Sequence, residues 1–144
     1  MASLDSKKVY ITRVGLKNFQ GELKRLYEIR REKVGNPEED PDEVLLLNQK
    51  IEEIERVLKN HEIIKFPSKN KRDAVQLGAT VTVEVGGHTS DLTIVGPPEV
   101  NPPLGLVSHE SPVGKALLGC KVGDVVTLSS TIKMPYKIKK VFYS

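Results

Sequence analysis

Five carboxylates occupy the six positions from 38 to 43, and Pro41 stands among them. Like charges at this spacing repel one another, so the cluster needs a compensating positive charge. A helix N-terminus, the basic surface of a partner, or a metal ion would supply it. The members of the cluster are Glu38, Glu39, Asp40, Asp42 and Glu43. The chemistry open to this segment therefore depends on the elements that flank it.

Five basic residues precede the cluster at positions typical of a helix surface. Basic side chains of this kind can contact phosphate groups. Alternatively, they form ion pairs with Glu28 and Glu32 at helical spacing, or with Glu52, Glu53 and Glu55 of the following segment. The five are Lys24, Arg25, Arg30, Arg31 and Lys33.

The other residue types that often carry chemistry are sparse. His61, His88 and His109 show no metal-ligand spacing and are expected on the surface or in loops. Cys120 is the single cysteine, which excludes a disulfide framework and a thiolate zinc site. We expect it to be a small buried apolar residue.

The elements that position the acidic cluster are two predicted helices. Leu16, Phe19, Leu23 and Leu26 recur at helical spacing between Thr12 and about Val34, with Thr12 as a plausible N-cap. The residues from 35 to 37 then end this helix. Asp40 as N-cap, Pro41 at the first position and Glu43 at the third predict the start of a second helix with a capping box. Its apolar stripe is Val44, Leu47, Ile51, Ile54 and Leu58. Together the two stripes predict an antiparallel hairpin with arms of roughly 30 Å and the acidic cluster at its exposed tip.

The hydrophobic pattern changes from helical spacing to strand-like alternation after Phe66. The sequence therefore predicts one domain over residues 1–66 and another over 67–144. The second reads as an antiparallel sheet with one short helix, which makes the fold class α+β. The predicted strands are 78–85, 90–96, 104–110, 123–130 and 136–143, and 97–103 is a stiff loop without helix potential. The helix is predicted over 111–119, with Ser111 as N-cap, Pro112 at the first position and Gly119 as C-cap.

Composition narrows the classes of protein further. The 144 residues are 38% hydrophobic and 28% charged, with no apolar run near the roughly 20 residues that span a bilayer. The N-terminus has no signal-peptide core, so a soluble cytoplasmic protein is expected. A net charge of +3 is too small to indicate general nucleic-acid binding.

Three segments resemble one known family. "SPVGKALLGCKVGDVV" (111–126) closely resembles a signature of the bacterial Gre transcript-cleavage factors. "GATVTV" (78–83) lies where that family has its first C-terminal strand. The first predicted helix resembles the family's opening helix in Thr12, Gly15, Phe19, Glu22, Leu23 and Leu26. These matches come in the family's order and cover most of the chain.

The resemblance implies a coiled-coil hairpin followed by a domain of FKBP-like fold. It implies a partner, bacterial RNA polymerase, with the globular domain on the rim of the secondary channel and the hairpin inside the pore. The tip carboxylates would help to hold a Mg²⁺ ion of the polymerase active site, so that the polymerase cuts its own backtracked RNA at the nascent 3′ end. The protein would then be an accessory factor and a monomer, not an enzyme. It would bind no cofactor when free and no membrane.

The resemblance also assigns residues. Asp40-Pro41-Asp42-Glu43 retains the family's Asp-x-x-Glu spacing, so Asp40 and Glu43 are the implied metal ligands and Asp42 is a further candidate. The implied RNA-contacting patch is the five basic residues named above. Docking on the polymerase is assigned to residues expected to be exposed, namely Ser111, Pro112, Gly114 and Lys115. The chain departs from the family at "VLLL" (44–47), in place of Asn-Ala-Glu-Tyr, and each arm looks shorter by about two turns, roughly 11 Å.

Four alternatives stay open at this stage. The acids could serve helix capping and solubility alone. A Gre-like regulator could occupy the channel without promoting cleavage, although the surviving spacing favours cleavage. The FKBP-like fold also occurs in peptidyl-prolyl isomerases, but only Phe66, Tyr136, Phe142 and Tyr143 could supply their aromatic pocket. Finally, the hairpin could pair with a second copy as a scaffold.

Overall fold

The computed structural model describes residues 8–127 and 134–143, which form two compact units. Unit 1 contains Arg13–Ile63 and the described residues before Tyr10, whereas unit 2 contains Tyr10–Thr12 and the described residues from Ile64 onward. The sequence placed the boundary after Phe66, and the units divide three residues earlier. Within the described ranges no helix is long and apolar enough to cross a membrane.

Unit 1 consists mainly of two helices that pack against each other. They are α1 (Arg13–Val34) and α2 (Pro41–Lys59), about 33 and 28 Å long. Leu26, Leu47 and Ile51 form the buried core between them, as the apolar spacing predicted. Lys33 pairs with Glu43 and Arg30 with Asn48, so the partners run in opposite order along the two helices.

The start of α2 follows the predicted capping chemistry in part. Asp40 has extended backbone angles and its carboxylate accepts a hydrogen bond from the Asp42 amide, while Pro41 occupies the first helical turn. The predicted capping box does not form, because the Glu43 carboxylate accepts a hydrogen bond from Lys33 instead of the Asp40 amide. The N-terminus of α2 is therefore capped by the Asp40 side chain alone.

Unit 2 is built around a five-stranded sheet in the order β5-β4-β3-β7-β6. Apart from this sheet, the chain contains a two-stranded sheet of β1 (Val9–Ile11) and β2 (His61–Ile63), of which β2 belongs to unit 1; the sequence pattern did not reveal it. The five are β3 (Thr80–Val85), β4 (His88–Val95), β5 (Leu106–Ser108), β6 (Val125–Thr127) and β7 (Pro135–Phe142). Their core consists of Val75, Ala79, Val81, Val83, Ile94, Leu117 and Ile138.

Two details of the predicted sheet are wrong. The sheet is mixed, because β5 pairs parallel with β4 and joins Thr93 to Leu106 and Val95 to Ser108. The segment predicted to lack helix potential forms two single 3₁₀ turns, Pro97–Glu99 and Pro102–Leu104. These turns carry the chain back so that β5 runs in the same direction as β4. Residues 128–130 of the predicted fourth strand lie outside the described residues.

The short helix α3 (Pro112–Leu117) begins as predicted. The Ser111 hydroxyl accepts a hydrogen bond from the Gly114 amide and donates one to the Ser108 carbonyl. Leu118 is the C-cap, and Gly119 follows it with a left-handed φ of 86°. These contacts fix α3 to the end of β5.

Candidate functional site: the acidic tip of the helix pair

The acidic cluster lies in the connection between α1 and α2 and in the first turn of α2. Glu38, Asp40, Asp42 and Glu43 are exposed, whereas the Glu39 side chain is only 17% exposed. Asp42 and Glu43 stand in the first helical turn, where acids interact favourably with the helix dipole. The predicted exposed tip is therefore acidic and capped, and it contains one carboxylate that turns inward.

Lys33 in the last turn of α1 compensates two of these acids. Its Nζ lies 2.5 Å from Glu39 Oε1 and 3.2 Å from Glu43 Oε2. The hydrogen bond from Lys33 lowers the pKa of Glu39, and the same contact raises the pKa of Lys33. One ammonium group thus connects the end of α1, the connection and the start of α2.

The tip does not form a complete metal site. No group of three or more histidine, cysteine, aspartate or glutamate side chains in residues 8–127 and 134–143 could hold an ion. Asp40 uses Oδ1 to cap the helix and Glu43 uses Oε2 for Lys33, which leaves the second oxygen of each outside these contacts. Carboxylate oxygens are ligands that Mg²⁺ accepts, but the described residues of the tip do not by themselves form a set that could hold the ion.

The five predicted RNA-contacting residues are not equivalent. Lys33 is committed to the tip, and Arg25 forms a bidentate pair with Glu22, with distances of 2.6 and 3.0 Å. This contact lowers the pKa of Glu22 and raises that of Arg25. Lys24 and Arg31 are exposed and have no ion-pair partner within the described part of the chain. None of the ion pairs among the described residues involves Glu28, Glu32, Glu52, Glu53 or Glu55. The partners that the sequence offered for the basic residues are therefore wrong.

Arg30 belongs to a mixed aromatic and basic face of α1. Its guanidinium lies 5.2 Å from the centre of the Tyr27 ring and donates to Asn48. With Arg31 and Val34, these two side chains line an open surface hollow of about 490 Å³. Burial, with Glu55 nearby, raises the pKa of Tyr27.

Exposed apolar side chains flank the acids of the tip. Val34 is 67% exposed, and Leu45 and Leu46 of "VLLL" are 56% and 59% exposed. Sequence reasoning treated only Val44 and Leu47 as stripe residues and gave the other two no role. The signal was present, because a four-residue apolar run cannot bury every side chain on one face of a helix.

The predicted docking residues differ in accessibility. Pro112 and Lys115 are exposed, and Ser111 is half-buried by its capping contacts. Gly114 is buried, so its expected exposure is wrong. A Cβ atom there would lie 2.0 Å from the Ser108 carbonyl oxygen, which shows that this glycine permits close packing of α3.

Comparisons with known proteins identify related sequences over both units. Residues 69–143 match the family described as transcription elongation factor, GreA/GreB, C-terminal. The chain is 33% identical to transcription elongation factor GreA of Thermomicrobium roseum, over 86% of this chain and 90% of that protein. It is 36% identical to GreA of Mycoplasmoides gallisepticum, over 94% and 97%.

Solved structures give a weaker likeness. A GreA/GreB factor from Nitrosomonas europaea is 23% identical, with a TM-score of 0.48 over 95% of this chain and 99% of that one. GreA factor homolog 1 (Gfh1) of Thermus thermophilus is 24% identical, with a TM-score of 0.45 over 94% and 99%.

Proposed function

The chain belongs to the GreA/GreB family of transcription elongation factors, and from this premise we propose that it binds bacterial RNA polymerase at the secondary channel. There it stimulates the polymerase's own cleavage of backtracked RNA. The observation that carries this proposal is the exposed acidic tip at the end of a helix pair about 30 Å long. The protein acts as a cytoplasmic monomer, and as an accessory factor because the polymerase performs the reaction.

Each unit has a separate task in this proposal. Unit 2, as an FKBP-like domain, docks on the channel rim through the face of α3 that exposes Pro112 and Lys115. Ser111 and Gly114 act indirectly, because they hold that helix against β5. Unit 1, as a coiled-coil hairpin, enters the pore with its apolar seam buried and its tip first.

At the tip, Asp40 and Glu43, with Asp42 beside them, present hard oxygen donors to the polymerase active site. A Mg²⁺ ion shared there would activate water and stabilise the leaving oxygen of the phosphodiester. Asp40 also fixes the start of α2, so its carboxylate is held in one orientation. The exposed cations Lys24 and Arg31, with Arg30, would contact the phosphates of the extruded RNA 3′ end.

The test is RNA cleavage in a stalled, backtracked elongation complex of the cognate polymerase with Mg²⁺. Wild type should cleave, and Asp40→Asn should not, because asparagine caps a helix as well as aspartate does but carries no charge. Glu43→Gln should also fail. Glu62→Gln is the matched control, because Glu62 is exposed but lies in β2, outside the tip.

A parallel binding measurement uses the same polymerase. Loss of cleavage with unchanged binding assigns the acids to the reaction. Full cleavage by both tip variants would contradict their role as ligands, and absence of polymerase binding by wild type would refute the proposal as a whole.

A second function is favoured by one observation, the ion pair between Glu43 and Lys33. A tip whose glutamate keeps its own counter-ion would occupy the channel without supplying a ligand. The chain would then be a non-cleaving regulator. In the same assay this form binds tightly, yields no cleavage and slows nucleotide addition.

A further inference from the structure

An aromatic ring lies among the cations of α1, and phosphate contact alone does not require it, because such contact depends on charge. Tyr27, Arg30, Arg31 and Val34 line the surface hollow of about 490 Å³. Residues at these spacings share one stripe of a helix. Sites for small organic ligands measure about 300–1,000 Å³, so the hollow is large enough for such a group.

Tyr27 and Arg30 together form a flat platform in this hollow. The Arg30 guanidinium lies 5.2 Å from the centre of the Tyr27 ring, and its Nη1 donates to Asn48 Oδ1 at 3.2 Å. Because these two contacts hold the guanidinium in place, little further ordering is needed when a ligand binds. Unpaired nucleic-acid bases stack on aromatic rings and on arginine guanidinium planes. The platform therefore suits a planar base.

The charge beside the platform favours a ligand that also carries an anionic group. Arg31 is exposed and has no ion-pair partner within the described part of the chain. Its guanidinium presents donors in a planar fork that matches the oxygens of a phosphate. Burial, with Glu55 nearby, raises the pKa of Tyr27, so the ring stays neutral well above pH 7 and does not repel an anion. A base linked to a phosphate satisfies both parts of the hollow.

We propose that this hollow binds one unpaired nucleotide, with its base stacked on the Tyr27–Arg30 pair and its phosphate on Arg31. Val34, which is 67% exposed, contacts the apolar edge of the base. The nucleotide belongs to the extruded segment of the RNA, so the inference rests on the proposed function and adds a base contact to the phosphate contacts. Stacking tolerates every base, and Tyr27 therefore fixes the position of the RNA without reading its sequence.

The first test uses the free protein and the RNA trinucleotide ApApA, with binding followed by the NMR amide signals of α1. Tyr27→Leu should weaken binding about tenfold, the effect of losing one base–aromatic stack. Tyr27→Phe should keep the wild-type affinity, because it retains the ring. Arg31→Met should weaken binding and reduce its salt dependence. Tyr10→Leu is the matched control, because Tyr10 is a 40% exposed tyrosine of β1, outside the hollow.

Two further ligands identify what the hollow recognises. A trinucleotide that lacks all three bases keeps the phosphates, and it should bind wild type and Tyr27→Leu equally and about as weakly as ApApA binds Tyr27→Leu. Adenosine monophosphate distinguishes a free nucleotide from a nucleotide of a chain. It should bind more weakly than ApApA, and equal or tighter binding would overturn the assignment to RNA. Amide signals of α2 verify that each variant is folded.

The cleavage assay with the same variants separates the two proposals. Equal ApApA affinity in wild type and Tyr27→Leu, or wild-type affinity for the chain without bases, overturns the role of the hollow even if wild type cleaves RNA. A base-dependent loss in Tyr27→Leu that Tyr27→Phe restores, with no cleavage by wild type, supports the nucleotide site and overturns the proposed cleavage function instead.

Discussion

Replacement of Gly114 by alanine should destabilise unit 2, although helix propensity alone gives the opposite sign. An alanine inside a helix is normally more stable than glycine by about 0.5–1 kcal/mol. Here the added Cβ would lie 2.0 Å from the Ser108 carbonyl oxygen and 3.1 Å from the His109 Cα. Because both are backbone atoms, α3 must move by about 1 Å, and such overpacking costs roughly 1–3 kcal/mol.

The assay compares urea unfolding and amide hydrogen exchange in β3 for wild type and Gly114→Ala. Gly21→Ala provides the control, because no atom lies within 4 Å of its added Cβ, and exchange in α1 should slow. We expect exchange in β3 to accelerate for Gly114→Ala and polymerase binding to weaken in parallel. Unchanged or slower exchange would refute the steric argument and the role of Gly114 in holding α3.

Three further predictions concern the core, the thiol and the cap. Ile51→Ala should lower the free energy of unfolding of the helix pair by about 2–5 kcal/mol, measured by urea titration, whereas exposed Glu53→Ala should change it little; similar losses would contradict the buried seam. Burial raises the pKa of Cys120, so the folded protein should react slowly with Ellman's reagent near pH 8 and rapidly in urea. The pKa of this thiol is higher in the folded than in the unfolded protein. Its contribution to stability is therefore complete below the unfolded pKa and is lost as the pH rises through the folded pKa. Fast reaction of the native protein with Ellman's reagent would contradict the burial of the thiol. Asp40→Ala should destabilise α2 by about 0.5–2 kcal/mol in thermal unfolding, and Asp40→Asn by much less, unless the cap contributes nothing.

The helices could be predicted from the sequence because their determinants are local. The 3–4 spacing of Leu47, Ile51 and their neighbours places one apolar face toward α1, and Asp40 with Pro41 defines the start of α2. Ser111 and Pro112 do the same for α3. Apolar spacing and N-cap residues act within a few positions of the chain, so they can be recognised in the sequence without knowledge of the fold.

The strand pairing could not be predicted in the same way. The parallel pairing of β5 with β4 depends on how residues 97–105 cross the sheet, which no period-2 pattern records. The short strands β1 and β2 are only three residues each, and their partners lie about fifty positions apart. Only the folded chain determines which edges meet.

For the acidic tip, too, local properties could be predicted from the sequence and tertiary contacts could not. The sequence by itself determined that five carboxylates gather at the N-terminus of a helix, since their types, spacing and cap are local properties. Only the tertiary structure decided that Lys33 holds Glu39 and Glu43 and that Gly114 is buried. A charged or small side chain acquires its partner from what packs beside it, and the direction and exposure of each element in space set that neighbour.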